Sequence, residues 1–245
     1  MNYKTSGIVI KRMNFSEADR ILTILTDRLG KVKAIAKGVR KTRSHMAGSL
    51  EPYMLVDLQL HEGKTFYIVT GASIITEYRN IHSDIKKTAE AYFVGELIDK
   101  FMEENQKSEV VLKLAKLVLD AIEKNEKSLI ISAFELKIVE ASGFKPEIYN
   151  CIHCKEKLLA GDNFWDHIEG GIICRTCQQK FHHGKKISDE AIKVLRFIEQ
   201  NNFSIVAKLK LDHETENEVD KILLEYIKSI LEKDIQSRKF LNQVR

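Results

Sequence analysis

Up to about residue 78, apolar positions fall into five short runs: "SGIVIKRMNF", "DRILTILTD", "GKVKAIAKG", "YMLVDLQLHE" and "TFYIVTGASII". Each is rich in Ile, Val, Leu, Thr or Tyr, which suits a pleated surface with one buried face. "DRLG" at 27–30 and "HEGK" at 61–64 predict hairpin connections, and the link between the third and fourth runs is longer. After Thr76 the apolar period becomes helical. Ser83 or Asp84 can cap a helix carrying Ile85, Ala89, Tyr92, Phe93 and Leu97. Ser108 begins a second, with Val111, Leu114, Ala115 and Val118. Ser128 begins a third, "SLIISAFELKIVEASG", apolar nearly all round and therefore buried, and stopped by Gly143. Ser188 caps "SDEAIKVLRFIEQN", with Asp189 and Glu190 in its first turn. "VDKILLEYIKSILEK" then places Val219, Ile222, Leu223, Tyr226, Ile227, Ile230 and Leu231 on one stripe.

Five strands with one long connection after the third suit a small closed barrel of the OB type. A five-stranded sheet packed on a helix is the other arrangement the pattern allows. The expected class is α+β: an OB-type module over 1–80, then an all-α domain over 81–245 with an insertion at about 148–182. The length of 245 residues, 44% hydrophobic and 30% charged content are globular values. No apolar run approaches the roughly 18 residues of a membrane span, and the N-terminus lacks the apolar core of a signal peptide. A cytoplasmic, nucleoid-associated location is expected.

Charge changes this picture in one place. Residues 1–80 hold 13 Lys/Arg against 7 Asp/Glu, and the remainder 26 against 28. Between Asp27 and Glu51 stand seven bases and no acid: Arg28, Lys31, Lys33, Lys37, Arg40, Lys41 and Arg43. On a strand over 30–37, alternation puts Lys31, Lys33 and Lys37 on one face and Val32, Ala34 and Ala36 on the other. Lysines on an edge strand can simply guard against aggregation. Seven uninterrupted bases in the one basic module favour a nucleic-acid partner. No aromatic residue occurs from Ser16 to Pro52. Tyr53, Phe66, Tyr67 and Tyr78 are expected in the core. The segment therefore offers phosphate contacts, which carry no base information. Salt-sensitive, sequence-independent binding to single and double strands is expected, with log–log salt slopes of about −3 to −5.

The insertion contains all four cysteines, Cys151, Cys154, Cys174 and Cys177, spaced C-x2-C, 19 residues, C-x2-C. Two such knuckles complete a closed tetrahedral zinc shell of structural type. Two disulfides, or one redox pair, are the competing readings; a cytoplasmic setting disfavours the first and the absence of a βαβ context the second. His153, His167, His182 and His183 lie nearby and are expected at the surface. Glu17 and Asp19 in "SEAD" are the nearest acidic pair in the basic module, a weak basis for an enzyme.

Residues 16–53, "SEADRILTILTDRLGKVKAIAKGVRKTRSHMAGSLEPY", resemble the N-terminal signature of the bacterial RecO DNA-repair family, most specifically in "AKGVRK" followed by a small-residue turn and "LEPY". The resemblance extends over the barrel, the helical domain and the cysteine insertion. It implies an N-terminal OB fold as the main DNA surface, mapping onto Lys31, Lys33, Lys37, Arg40, Lys41 and Arg43. It implies a non-enzymatic recombination mediator that anneals complementary strands. It further implies partnership with RecR, sometimes RecF, docking of the single-strand-binding protein tail on the helical domain, and help in loading RecA on coated single strands. The cysteine quartet is not found throughout the family, so one structural Zn2+ would belong to this branch. An RNA-binding translation or transcription factor is the alternative, since barrels and zinc modules also serve there.

Overall fold

The computed structural model describes residues 1–124 and 129–244. The five runs form β1 (Asn2–Asn14), β2 (Arg20–Thr26), β3 (Gly30–Ala36), β4 (Leu55–His61) and β5 (Tyr67–Thr76). They close into a barrel of order β1-β2-β3-β5-β4. The 13-residue β1 makes closure possible: its first half pairs with β4 (Asn2↔His61 to Ile8↔Leu55), and from Gly7 onward it pairs with β2 as far as Asn14↔Arg20. At Gly7, where both pairings overlap, a Cβ would stand 2.9 Å from the Leu25 carbonyl, so only glycine lets the strands approach this closely. The seal is a short parallel pairing of β3 and β5 (Ala34↔Tyr67, Ile35↔Ile68).

Val32, Ala34 and Ala36 of β3 point inward, as alternation requires, and pack with Val9, Leu22, Ile24, Val56, Leu58 and Leu60. The small alanines suit the narrow interior of a five-stranded barrel.

Helices α1 (Arg79–Ser83), α2 (Ile85–Phe101) and α3 (Glu109–Glu123) follow, with Asp84 and Ser108 capping α2 and α3 as expected. The α4 helix (Leu129–Ala141) is buried on nearly every side; Ser128, its expected cap, lies outside the described residues. Then come β6 (Asn163–Asp166), β7 (Gly171–Cys174), α5 (Arg175–Phe181), β8 (Lys185–Ile187), α6 (Asp189–Gln200), α7 (Phe203–Val206), α8 (His213–Leu231) and α9 (Gln236–Val244). Ser188 caps α6.

Two compact units result: Met1–Asn125 with Ile235–Arg245, and Glu126–Asp234. The strand-to-helix change expected near 80 is present, but α1, α2, α3 and α9 belong with the barrel. Within the first unit, α2 packs close to the barrel at Gly95, where a Cβ would meet the Tyr53 ring at 2.9 Å. The α9 helix docks on α2 through Glu96, whose carboxylate accepts the Gln236 and Ser237 N–H groups at 3.0 and 2.7 Å. In the second unit, α6, α7 and α8 surround α4, and β6, β7 and β8 form a small antiparallel sheet of order β7-β6-β8. Trp165 of β6 is buried there, edge-on to Tyr226 at 5.7 Å. The insertion's own secondary structure thus runs to Ile187.

Candidate nucleic-acid interface and metal centre

The seven bases that are continuous in sequence separate in space. Arg28 is exposed in the β2–β3 turn, and the 37–43 group leaves the far end of β3. At about 3.3 Å per residue the strand sets them roughly 20 Å apart. Lys31 and Lys33 lie between, on the face away from the core. Lys31 departs from the expected exposed stripe. It is 9% exposed, and its Nζ donates to the Asp99 main-chain carbonyl at 2.5 Å and to Asp99 Oδ1 at 3.1 Å. Its backbone is held as well, by Asn105 N–H at 2.7 Å and Gln106 O at 3.2 Å. The physical reason is that the end of α2 and the segment leading to α3 cover this part of β3. Lys33 remains half exposed but pairs with Glu104 at 3.0 Å.

Lys37, Arg40, Lys41 and Arg43 are exposed, and no acid within the described residues forms an ion pair with them or with Arg28. Their loop is not a loose tether. Gly38, at φ +65°, donates its N–H to Asp19 Oδ1 at 2.7 Å, and Lys41 N–H closes a turn onto the Gly38 carbonyl at 3.1 Å. Arg40 is held from its backbone by the Ala18 carbonyl and from its guanidinium by the Ser16 carbonyl, at 3.0 and 2.8 Å. Val39 and Leu50 sink into the barrel core. Glu51, the acid that ends the run, is taken up by Arg12 and by Arg20 at 3.0 Å. The cations thus sit on a loop tied to Ser16, Ala18 and Asp19 at Gly38 and Arg40.

Asp19 therefore has a structural task. The Gly38 N–H is the main cause holding its carboxyl below the ordinary range; burial opposes this, and Ser16, Lys37 and Lys41 reinforce it. Glu17 and Asp19 join no three-ligand group among the described residues.

Tyr53 and Tyr78 are buried, and Tyr67 stands half-buried and edge-on to Tyr3 at 5.9 Å. Phe66 is half-buried. One aromatic residue escaped the sequence reading. Phe15, at the end of the β1–β2 hairpin, is 55% exposed, and its N–H bonds the Asp19 carbonyl at 3.1 Å. It neighbours Ser16, which holds Arg40. Its signal was an apolar ring directly before the polar "SEAD", one position outside the aromatic-free window.

In the second unit, Cys151 and Cys154 flank a tight turn, Cys174 ends β7 and Cys177 enters α5. All four are free thiols, and their Sγ atoms lie within 4.8 Å of one another, with Cys154 and Cys174 at 3.8 Å. A tetrahedron of ~2.3 Å Zn–S bonds has edges of about 3.8 Å, so the donors fit a four-thiolate zinc shell. The thiols are not equivalent. Burial raises Cys151, but backbone N–H groups from Cys174, Cys154 and His153 outweigh it and bring it to about 6. Burial and the neighbouring thiols push Cys177 up to about 12. Cys151 thus favours the thiolate, and a bound cation would be needed to hold Cys177 as a thiolate beside it. The nearby histidines are not uniformly at the surface as expected. His182 is exposed, but His153 packs against Phe181 at 4.4 Å and His183 is bonded to Asp166.

No helix among the described residues is long and apolar enough to cross a membrane. The family described as "Recombination protein O N terminal" matches residues 1–78, and "Recombination protein O C terminal" matches 82–239. Their junction coincides with the change from strand to helix. A protein named "DNA repair protein RecO" from Dehalococcoides mccartyi is 34% identical over 99% of this chain and 96% of its own length. Proteins of the same name from a Thermoanaerobacter and a Roseiflexus species are 30% and 31% identical, each over 99% of this chain and over 98% and 86% of their own lengths. With both halves matched and relatives aligned along its length, the chain belongs to the RecO family of DNA repair proteins.

Proposed function

We propose that this protein is a non-enzymatic recombination mediator that anneals complementary DNA strands and assists RecA loading on single strands coated by their binding protein. One observation carries the reading: Lys37, Arg40, Lys41 and Arg43 are exposed on a loop anchored to the barrel, with no ion-pair partner among the described residues. Cations on an anchored loop bring two phosphate backbones together while base edges stay free to pair. Arg28 is a separate, outlying phosphate contact, and Lys33 contributes when its pairing with Glu104 opens. Lys31 serves the fold. Phe15 adds a single stacking surface next to Ser16, which holds Arg40.

The cysteine quartet holds one structural Zn2+ in this reading. Four thiolates close its shell, so the metal fixes the small sheet and leaves no position for substrate. RecR, RecF and the tail of the single-strand-binding protein are the expected partners, and the cytoplasm the expected location.

The test is annealing of complementary strands coated with the cognate single-strand-binding protein, with and without that protein's C-terminal tail. Replacing Lys37, Arg40, Lys41 and Arg43 together by Gln should abolish annealing while the fold is kept. Normal annealing by that variant overturns the reading. Equal or greater activity on RNA strands would favour a role in translation or transcription instead.

A further inference from the structure

The four cysteines do not exhaust the ligating side chains of their unit. A ring nitrogen of His153, a ring nitrogen of His183 and a carboxylate oxygen of Glu169 lie within 4.8 Å of one another. They come from three segments: the turn between Cys151 and Cys154, the β6–β7 turn, and the residues after α5. Two independent features orient them as ligands. The Nε2 atom of His153 is buried and has no hydrogen-bond partner. An imidazole nitrogen in that position costs free energy unless something binds it. The Nδ1 atom of His183 is bonded to Asp166, which is 5% exposed and is itself fixed by the N–H groups of Ile168 and Glu169 at 2.8 and 2.9 Å. A carboxylate on one nitrogen sets the tautomer and frees the lone pair on the other, the usual support behind a metal-binding histidine.

The local backbone serves the same end. His182 adopts the left-handed conformation, φ 56°, and this turns the chain back after α5 so that His183 faces His153, with ring centroids 5.2 Å apart. Phe181 shields the pair from one side.

From this geometry we infer that His153, Glu169 and His183 form a second metal site, distinct from the four-cysteine site, for one divalent ion of the zinc class. Two imidazoles and a carboxylate suit such ions. Tetrahedral coordination at ~2.1 Å needs donor atoms about 3.4 Å apart, so the side chains close by no more than about 1.4 Å. Glu169 is exposed and free to supply that movement. The fourth position is open to water or a ligand. A zinc bound by four thiolates is anionic and would attract, not repel, a second cation nearby.

The test uses untagged, full-length protein loaded with Zn2+, freed of excess metal, and counted by elemental mass spectrometry. Two ions per chain are expected, with Glu169→Gln and His183→Ala each retaining one. Co2+ substitution separates the sites spectrally. Thiolate-to-cobalt charge transfer marks the cysteine site and persists in both variants. The weaker d–d absorption of a nitrogen- and oxygen-bound ion is lost from them, with Co2+ affinity at that site reduced about tenfold or more. Trp165 emission reports whether a variant has kept its fold. A wild-type protein that holds a single ion, or a second ion unaffected by both variants, overturns the inference.

Discussion

The Lys31 ammonium is locked onto Asp99, reaching both its main-chain carbonyl and its carboxylate, and Asp99 also receives Lys11 at 3.1 Å. A base of the continuous basic run is thus a strut between β3 and the end of α2. Asp99→Asn should lower stability by about 1–3 kcal/mol, because a mostly buried ammonium loses its counter-charge. Burial opposes ionisation of Asp99, but Lys31 and Lys11 outweigh it, so its carboxyl titrates below the usual range. The stabilisation is therefore complete above the ordinary aspartate value and is lost as pH falls through the lowered folded-state value. Urea unfolding at neutral pH and near pH 3 should show a gap between wild type and Asp99→Asn that closes in acid. A constant gap would show that the pair contributes through packing alone.

For DNA, Lys31→Gln should leave the salt dependence of binding unchanged, whereas Gln at Lys37, Arg40, Lys41 and Arg43 together should flatten the log–log salt slope by about 3. Fluorescence anisotropy with a labelled single strand across a salt series reads both. Arg28→Gln should remove at most one contact, since β3 separates it from the 37–43 loop.

Asp19 offers a sharper discrimination between charge and architecture. Asp19→Ala makes the barrel more cationic, so simple attraction predicts tighter DNA binding. The variant also deprives Gly38 of its acceptor, and the basic loop loses one of its anchors. Weaker binding despite the added positive charge is expected, together with a lower unfolding midpoint in urea. Tighter binding would mean that loop order does not matter.

These contrasts show what the sequence could carry. Alternation placed Val32, Ala34 and Ala36 inward correctly, because strand period is a local property. It could not show that Asp99, far along the chain, would cover Lys31. The docking of α9 on α2 was invisible for the same reason: it rests on Glu96 reaching the N–H groups of Gln236 and Ser237. The cysteine spacing announced its cluster directly, since a knuckle is a local motif. The convergence of His153, Glu169 and His183 depends on how β6, β7 and α5 fold around it.

Metal removal has a built-in reporter. Trp165 is the only tryptophan, and it is buried in β6, paired with the strand that ends in Cys174. Stripping the cysteine site with a strong chelator under reducing conditions should shift Trp165 emission to the red as the small sheet opens, with barrel DNA binding retained. Cys177→Ser should show the same shift without chelator. Unchanged emission in both cases would mean that the sheet folds without the metal.

Phe15 decides whether the protein grips phosphates alone. Its ring is exposed, its N–H bonds the Asp19 carbonyl, and the adjacent Ser16 carbonyl accepts from the Arg40 guanidinium. An unpaired base can stack on such a ring, whereas a base inside a duplex cannot reach it. Phe15→Ala should therefore weaken single-strand binding by about 1–3 kcal/mol and leave duplex binding almost unchanged. The salt slope should stay the same, because no phosphate contact is lost. Equal losses on single and double strands would place Phe15 among the residues that merely hold the hairpin.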